Sequence, residues 1–83
     1  MYNVNIIYKV HMKGDGCMNL DNFNIKLLMT EQELNIGKLA EKMGMSRQWV
    51  SSNLQRGYSN TKFINKLAKA LEVEIKEIVK LED

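Results

Sequence analysis

In residues 36–56 the apolar positions repeat with the period of an α-helix. A first apolar face repeats at i, i+1 and i+4 and is formed by Leu39, Ala40 and Met43. A second face repeats at i and i+4 and is formed by Val50 and Leu54. The spacing therefore predicts two short amphipathic helices, the first starting near Asn35 and the second near Ser46.

The residues between these two helices predict a tight turn. Gly44 suits the end of the first helix because glycine adopts the left-handed C′ conformation at little steric cost. Ser46 suits the start of the second, since its hydroxyl can accept a bond from an orphan backbone N–H. Ala40 is small at the position where the helices would cross. This is the helix-turn-helix layout, although a helical hairpin in any all-α protein would show the same period.

Three further helices are predicted around this pair. The first runs from Asn19 to about Glu31, and Asn19 or Asp21 can cap it. Its apolar face consists of Leu20, Phe23, Leu27 and Leu28. The fourth can be capped by Ser59 or Asn60. Its apolar stripe consists of Phe63, Ile64, Leu67, Ala68 and Leu71. A short fifth helix carries Val73, Ile75, Ile78 and Val79.

The N-terminal residues show a different period. Between Val4 and Met12 apolar and polar residues alternate, broken at Ile7, which is typical of a β-strand. No other segment of the sequence predicts a strand. We therefore divide the chain into an N-terminal extension, residues 1–18, and a helical domain, residues 19–83.

Two interpretations of the extension stay open. A strand needs a partner edge, so Val4–Met12 would pair antiparallel with the same strand of a second molecule. Alternatively, the natural protein starts at Met18, because the codons for Lys13, Gly14 and Asp15 can spell a purine-rich ribosome-binding site. We favour the paired strand.

Length and composition limit the class of protein. The chain has 83 residues, enough for one small domain with one core, and its hydrophobic fraction of 45% predicts a folded chain. No apolar run approaches the length of a membrane span, and the N-terminus lacks a signal-peptide pattern. The sequence therefore predicts a soluble cytoplasmic protein.

Few residues of this chain are suited to metal or catalytic chemistry. Cys17 is the single cysteine and His11 the single histidine, which is too few for a zinc site. Cys17 is expected to be a free thiol, with an intermolecular disulfide as the alternative. The sequence shows no grouping of nucleophile, base and orienting acid and no phosphate-binding loop. We expect neither a cofactor nor an enzymatic activity.

The charge of the chain is unevenly distributed. The formal net charge is only +2. Residues 36–66 carry a net charge of +5, whereas residues 1–35 carry −1 and residues 67–83 carry −2. The positive charge therefore lies on the predicted helix-turn-helix and the segment after it, where a phosphate backbone would be met.

The outward face of the second helix of the pair carries hydrogen-bond donors and no acid. On a helical wheel of about 100° per residue with Arg47 at 0°, this face covers about 0–140°, whereas Val50 and Leu54 fall at about 300° and 340°. It consists of Arg47, Gln48, Ser51, Ser52 and Gln55. Arginine can bind guanine O6 and N7 with two hydrogen bonds, and glutamine can bind adenine N6 and N7 in the same way. Trp49 lies at the flank, where packing is preferred to base contact, and Asn53 is expected to meet a backbone group.

Residues 22–80 resemble the repressor/Cro-like helix-turn-helix regulators of phages and bacteria, often called the XRE family. The similarity is carried by Leu39–Ala40, Gly44, Val50 and Leu54, with Gly57 after the second helix. Two departures are Trp49, where small residues are usual, and Gly57, which lies one residue later than in many members. The resemblance implies an all-α, five-helix bundle, here with the N-terminal β-strand extension.

The resemblance also implies which residues meet DNA. Base contacts are expected from Arg47, Gln48, Ser51 and Ser52. From their positions at the helix starts and after the second helix of the pair, we expect phosphate contacts from Asn35, Lys38, Ser46, Arg56, Tyr58, Asn60 and Lys62, with simple loop residues as the alternative for Tyr58 and Asn60.

Two classes of function follow from this resemblance. The first is a sequence-specific regulator of transcription that binds double-stranded DNA, represses, and acts as a homodimer. The dimer contact is expected at the C-terminal surface, where Ile75, Ile78, Val79 and Leu81 exceed the needs of one small core. The second is an antitoxin or other protein-interaction module of the same fold, with a toxin or effector as its partner.

Overall fold

A computed structural model describes residues 12–13 and 17–80. Strand β1 is Met12–Lys13 and strand β2 is Cys17–Asn19. Helices α1, α2 and α3 are Asn22–Glu31, Ile36–Met43 and Arg47–Arg56. Strand β3 is Tyr58–Asn60, helix α4 is Thr61–Leu71, and a 3₁₀ turn covers Ile75–Glu77. The predicted strand Val4–Met12 lies outside the described residues except for Met12.

Each α-helix begins at a side-chain cap. Asp21, Asn35, Ser46 and Asn60 occupy the N-cap positions, and each side chain accepts a hydrogen bond from a backbone N–H in the first turn. Gly44 ends α2 and Gly57 ends α3, both in the left-handed conformation, with φ of 69° and 86°. The predicted turn and the start of α3 at Ser46 are confirmed.

Helix α4 crosses the centre of the core. Its predicted apolar stripe is buried along its whole length, with Phe63, Ile64, Leu67, Ala68 and Leu71 at most 4% exposed. The apolar faces of α2 and α3 pack in the same cluster, which contains Leu39, Ala40, Met43 and Val50. Because α2 and α3 both bury these faces, the polar face of α3 is left on the surface.

The predicted apolar face of the first helix is wrong at two of its four residues, Phe23 and Leu27, whereas Leu20 is buried and Leu28 packs against the core. Helix α1 starts at Asn22 and buries Ile25, whereas Phe23 is 80% exposed and Leu27 is 46% exposed. Leu20 lies before the helix, and its N–H donates to the Gly57 carbonyl at 2.9 Å. Since backbone pairing occupies the residues before Asp21, the helix begins later than predicted, and the stripe at i, i+3 and i+4 that faces the core is Ile25, Leu28 and Met29.

A small antiparallel sheet joins segments that are distant in the sequence. Its strand order is β1-β2-β3, with Met18 opposite Ser59 and opposite Met12. The expectation that no second strand exists in the chain is therefore wrong, because β2 and β3 are paired strands. The predicted boundary between residues 18 and 19 falls within β2 and stays a prediction.

The predicted fifth helix is also wrong, and the described residues contain four α-helices. Residues 75–77 form a single 3₁₀ turn, after which Val79 bridges to Leu20. The Asp21 N–H donates to the Ile78 carbonyl and the Lys80 N–H donates to the Asn19 carbonyl. This pairing extends the chain, so a helix cannot continue. It also buries Ile78 and Val79 within the protomer, so these two residues are not surplus apolar surface for a dimer.

Candidate nucleic-acid interface

Helix α3 presents the predicted polar face to the surface. Val50 is fully buried on the opposite side, and Leu54 is partly buried against the core. Together with Ile36, the polar face lines one open depression, formed by Arg47, Gln48, Ser51, Ser52 and Gln55. Ser51 is half-buried and the other four polar side chains are exposed. The four residues expected to contact bases thus share one surface without an acid, while the contact itself stays a prediction.

Three of the residues expected to bind phosphate are helix caps. Asn35 Oδ1 accepts from the Lys38 N–H at 2.8 Å, Ser46 Oγ accepts from the Trp49 N–H at 3.1 Å, and Asn60 Oδ1 accepts from the Phe63 N–H at 2.9 Å. These bonds use the side-chain oxygens. The atoms suited to a phosphate oxygen are therefore the amide nitrogens of the two asparagines and the hydroxyl proton of the serine.

The first turns of α2, α3 and α4 have the charge that an isolated helix disfavours. Lys38, Arg47 and Lys62 are exposed residues of these turns, and no acidic residue accompanies them. A cation at a helix N-terminus opposes the macrodipole by roughly 0.3–1 kcal/mol, whereas an anion there is stabilised by a similar amount. A phosphate bound at one of these helix N-termini would interact favourably with both the macrodipole and the cation. The three helix starts thus have the electrostatics of a surface that meets an anion.

Arg56 and Tyr58 are partly committed to contacts inside the protein. The Arg56 Nε–H donates to the Tyr58 carbonyl at 3.3 Å, and its Nη2 donates to Asn53 Oδ1. The guanidinium also lies over the Tyr58 ring, 4.9 Å from the ring centroid. Both side chains remain exposed, so a phosphate contact by Arg56 would have to be made alongside these bonds.

The buried side chains of Asn53 and Ser59 form a buried polar cluster, which the exposed Arg56 joins through Asn53 Oδ1, and this cluster fixes the end of α3 to strand β3. Asn53 is fully buried, and its Oδ1 accepts from the Ser59 hydroxyl at 2.6 Å as well as from Arg56. The Asn53 Nδ2 donates to the Trp49 carbonyl at 2.8 Å, which confirms the expected backbone contact. Because buried polar groups are costly when unpaired, this cluster ties the position of α3 to the sheet. Trp49 itself is 49% exposed at the flank.

Sequence reasoning missed one residue of this surface, Gly37. It is the second residue of α2, and with Asn35, Lys38, Glu41 and Arg47 it lines a second open depression beside the first. A side chain at position 37 would meet the Arg47 guanidinium. The signal in the sequence was a glycine in the first turn of a helix, where propensity favours almost any other residue except proline.

Residues 12–13 and 17–80 contain neither a candidate metal-binding cluster nor a candidate membrane-spanning helix. No group of three or more histidine, cysteine, aspartate or glutamate side chains is placed to hold a metal ion there. Within the same residues, none of the helices has the length and apolar character needed to cross a membrane.

Comparisons with known proteins agree with this geometry. Residues 24–83 match the model of the Cro/C1-type HTH DNA-binding domain. The fold is similar to the crystal structure of the hypothetical transcription factor NHTF from Neisseria, with a TM-score of 0.58 and 18% sequence identity, over 86% of this chain and 89% of that one. Curated protein sequences gave no match. The four helices, the exposed polar face of α3 and the family match lead to one conclusion: the chain belongs to the Cro/C1-type helix-turn-helix family of DNA-binding regulators and is not an enzyme.

Proposed function

We propose that this protein is a sequence-specific regulator of transcription that inserts α3 into the major groove of double-stranded DNA. The observation that carries the proposal is the placement of Lys38, Arg47 and Lys62 in the first turns of α2, α3 and α4 without an accompanying acid. Folding alone gives no reason for three such turns in one protein, because each is electrostatically unfavourable. A duplex supplies phosphates to all three at once.

Under this proposal, the protein makes two kinds of contact with DNA. Arg47, Gln48, Ser51 and Ser52 contact base edges and determine which sequence is bound. The phosphate contacts come from Asn35, Lys38, Ser46, Arg56, Tyr58, Asn60 and Lys62, and they determine orientation and salt dependence. Such a regulator acts in the cytoplasm of a bacterial cell.

The test of this proposal is selection of bound duplexes from a pool of random sequence, followed by gel shift with the selected duplex and a scrambled one. We expect a preference of about 10³-fold or more at physiological salt. Binding that is equal for both duplexes would contradict sequence-specific recognition.

We further propose a homodimer that represses by occupying a two-fold symmetric operator. One domain offers a single short recognition helix, which gives few base contacts for a useful specificity ratio. Two-fold pairing would place two α3 helices roughly 34 Å apart, one turn of the duplex. Footprinting should therefore protect two related half-sites. Protection of one unpaired half-site, with a monomer in sedimentation measurements, would contradict the dimer.

The second candidate function is a protein-interaction module such as an antitoxin. Phe23 and Leu27, one turn apart on α1, leave apolar surface exposed that the core does not use. A contiguous exposed apolar patch is typical of partner-binding surfaces in other proteins. Co-purification of a specific partner that is lost in Phe23→Ala, with DNA affinity unchanged, would favour this function.

A further inference from the structure

The described residues include three glycines, and these positions need glycine for two different physical reasons. Gly44 and Gly57 have positive φ, and a Cβ added to either would meet no atom within 4 Å. They are glycine because of their backbone conformation. Gly37 has no positive φ and lies inside the first turn of α2, where an alanine would be favoured. Its backbone conformation therefore does not explain why it is glycine.

The space at Gly37 does explain it. A Cβ at this position would lie 2.9 Å from Arg47 Nη2, 3.4 Å from Arg47 Nε and 3.4 Å from Asn35 Oδ1. The Asn35 oxygen is held by its bond to the Lys38 N–H, so it cannot retreat without uncapping α2. The Arg47 guanidinium, by contrast, is the far end of a flexible side chain and would move first.

We propose that Gly37 is a positioning residue for Arg47. By lacking a Cβ, it leaves room for the guanidinium to lie against the first turn of α2, the place from which Arg47 would meet DNA. This inference rests on the proposed function, because it assigns Gly37 a part in reading the base that Arg47 contacts.

The position of the guanidinium matters because of the geometry of its target. Arginine reads guanine through two parallel N–H···O and N–H···N bonds, which require both donors in the plane of the base. A clash at 2.9 Å displaces Nη2, one of these donors, while leaving the positive charge in the interface. Adding a methyl group at position 37 should therefore reduce base preference much more than general affinity for DNA.

The first measurement is independent of DNA. The chain contains two arginines, Arg47 and Arg56, so its spectrum has two arginine side-chain Nε–Hε resonances, assigned by the loss of one in Arg47→Ala. In Gly37→Ala we expect the Arg47 resonance to shift and the Arg56 resonance to stay in place, since Arg56 is held by the Tyr58 carbonyl. An unchanged Arg47 resonance would overturn the positioning role.

The second measurement is a double-mutant cycle on the selected duplex. Gly37→Ala should keep the melting midpoint at or above that of the unmodified protein, because alanine is the better helix former. It should lose about tenfold of the preference for the base pair that Arg47 reads. Introduced into Arg47→Ala, the same change should have no further effect. Unaltered base preference in Gly37→Ala, or an equal loss in both backgrounds, would overturn the proposal.

The two proposals fail in different ways. If the unmodified protein selects no duplex, the proposed function is wrong. In that case a shifted Arg47 resonance would still support the contact between residues 37 and 47. If the protein selects a duplex and Gly37→Ala retains its base preference, only the positioning role is wrong.

Discussion

The helix-turn-helix and the strand region are built in opposite ways. Helices α2 and α3, with their turn, use one continuous segment, residues 36–56. The strand region assembles three segments far apart in the chain, residues 17–20, 58–60 and 78–80. The first exposes hydrogen-bond donors and positive charge, whereas the second buries Met18, Leu20 and Val79. Both regions bury apolar side chains in the core, but the residues expected to contact bases all lie on the helix-turn-helix.

The buried polar cluster connects the two regions. The Ser59 hydroxyl of β3 donates to Asn53 of α3, and the Leu20 N–H donates to the Gly57 carbonyl directly after α3. Substitution of the buried Leu20 and substitutions of exposed residues on the outward face of α3 should therefore separate stability from DNA binding, and substitutions in the cluster should affect both.

The largest expected effect is on stability, at Leu20. This side chain is 2% exposed, so Leu20→Ala should lower the free energy of unfolding by about 2–5 kcal/mol, measured by urea denaturation. Leu27→Ala is the matched control, because Leu27 is 46% exposed and should cost well under half as much. Base preference of the folded fraction should stay unchanged. Equal losses in the two variants would contradict the role assigned to the strand region.

The next effect tests the connection between the regions. Asn53→Ala leaves the buried Ser59 hydroxyl without its acceptor and removes one of the two hydrogen bonds of Arg56, which should cost about 1–3 kcal/mol of stability. Because α3 is then less firmly held, DNA affinity should fall as well. Asn65→Ala, on the exposed face of α4, is the control and should change neither quantity. A variant that loses stability but binds DNA with full affinity would show that the cluster does not position α3.

Substitutions on the outward face of α3 should weaken DNA binding and leave stability nearly unchanged. Gln48 and Arg47 are exposed, so Gln48→Ala and Arg47→Ala should leave the denaturation midpoint nearly unchanged. Each should weaken binding to the selected duplex by about 1–3 kcal/mol and relax the preference at one base pair, as measured by gel shift against single-base variants. Unchanged affinity and base preference in Arg47→Ala would remove it from the base-reading set.

The smallest effect is expected from single lysines of the phosphate-contacting set. Lys62→Ala should weaken binding to all duplexes alike and reduce the slope of log K against log salt by about 0.9. Lys76→Ala removes the same charge from the C-terminal 3₁₀ turn, where the lysine lies 3.6 Å from Glu74, and serves as the control. If both variants changed the slope equally, the position of Lys62 would have no special part in binding.

Local patterns in the sequence were sufficient for much of the fold. The i, i+4 faces of α2, α3 and α4 and the cap at Ser46 depend on residues within one or two turns of each other. The same patterns predicted that the polar side of α3 faces outward, because Val50 must be buried. The site residues that share this face could therefore be named from the sequence.

Only the tertiary structure determined how the first and last segments of the domain pair with other parts of the chain. The partner of Met18 is Ser59, some forty positions along the chain, and no local pattern encodes such a pairing. The strand pairing delays the start of α1 and leaves Phe23 exposed, and the bridge between Leu20 and Val79 takes the place of a fifth helix. The approach of Arg47 to Gly37 is likewise a consequence of how two helices cross. Helix periodicity and capping act within a few residues, whereas strand pairing and side-chain packing between elements depend on the assembled fold.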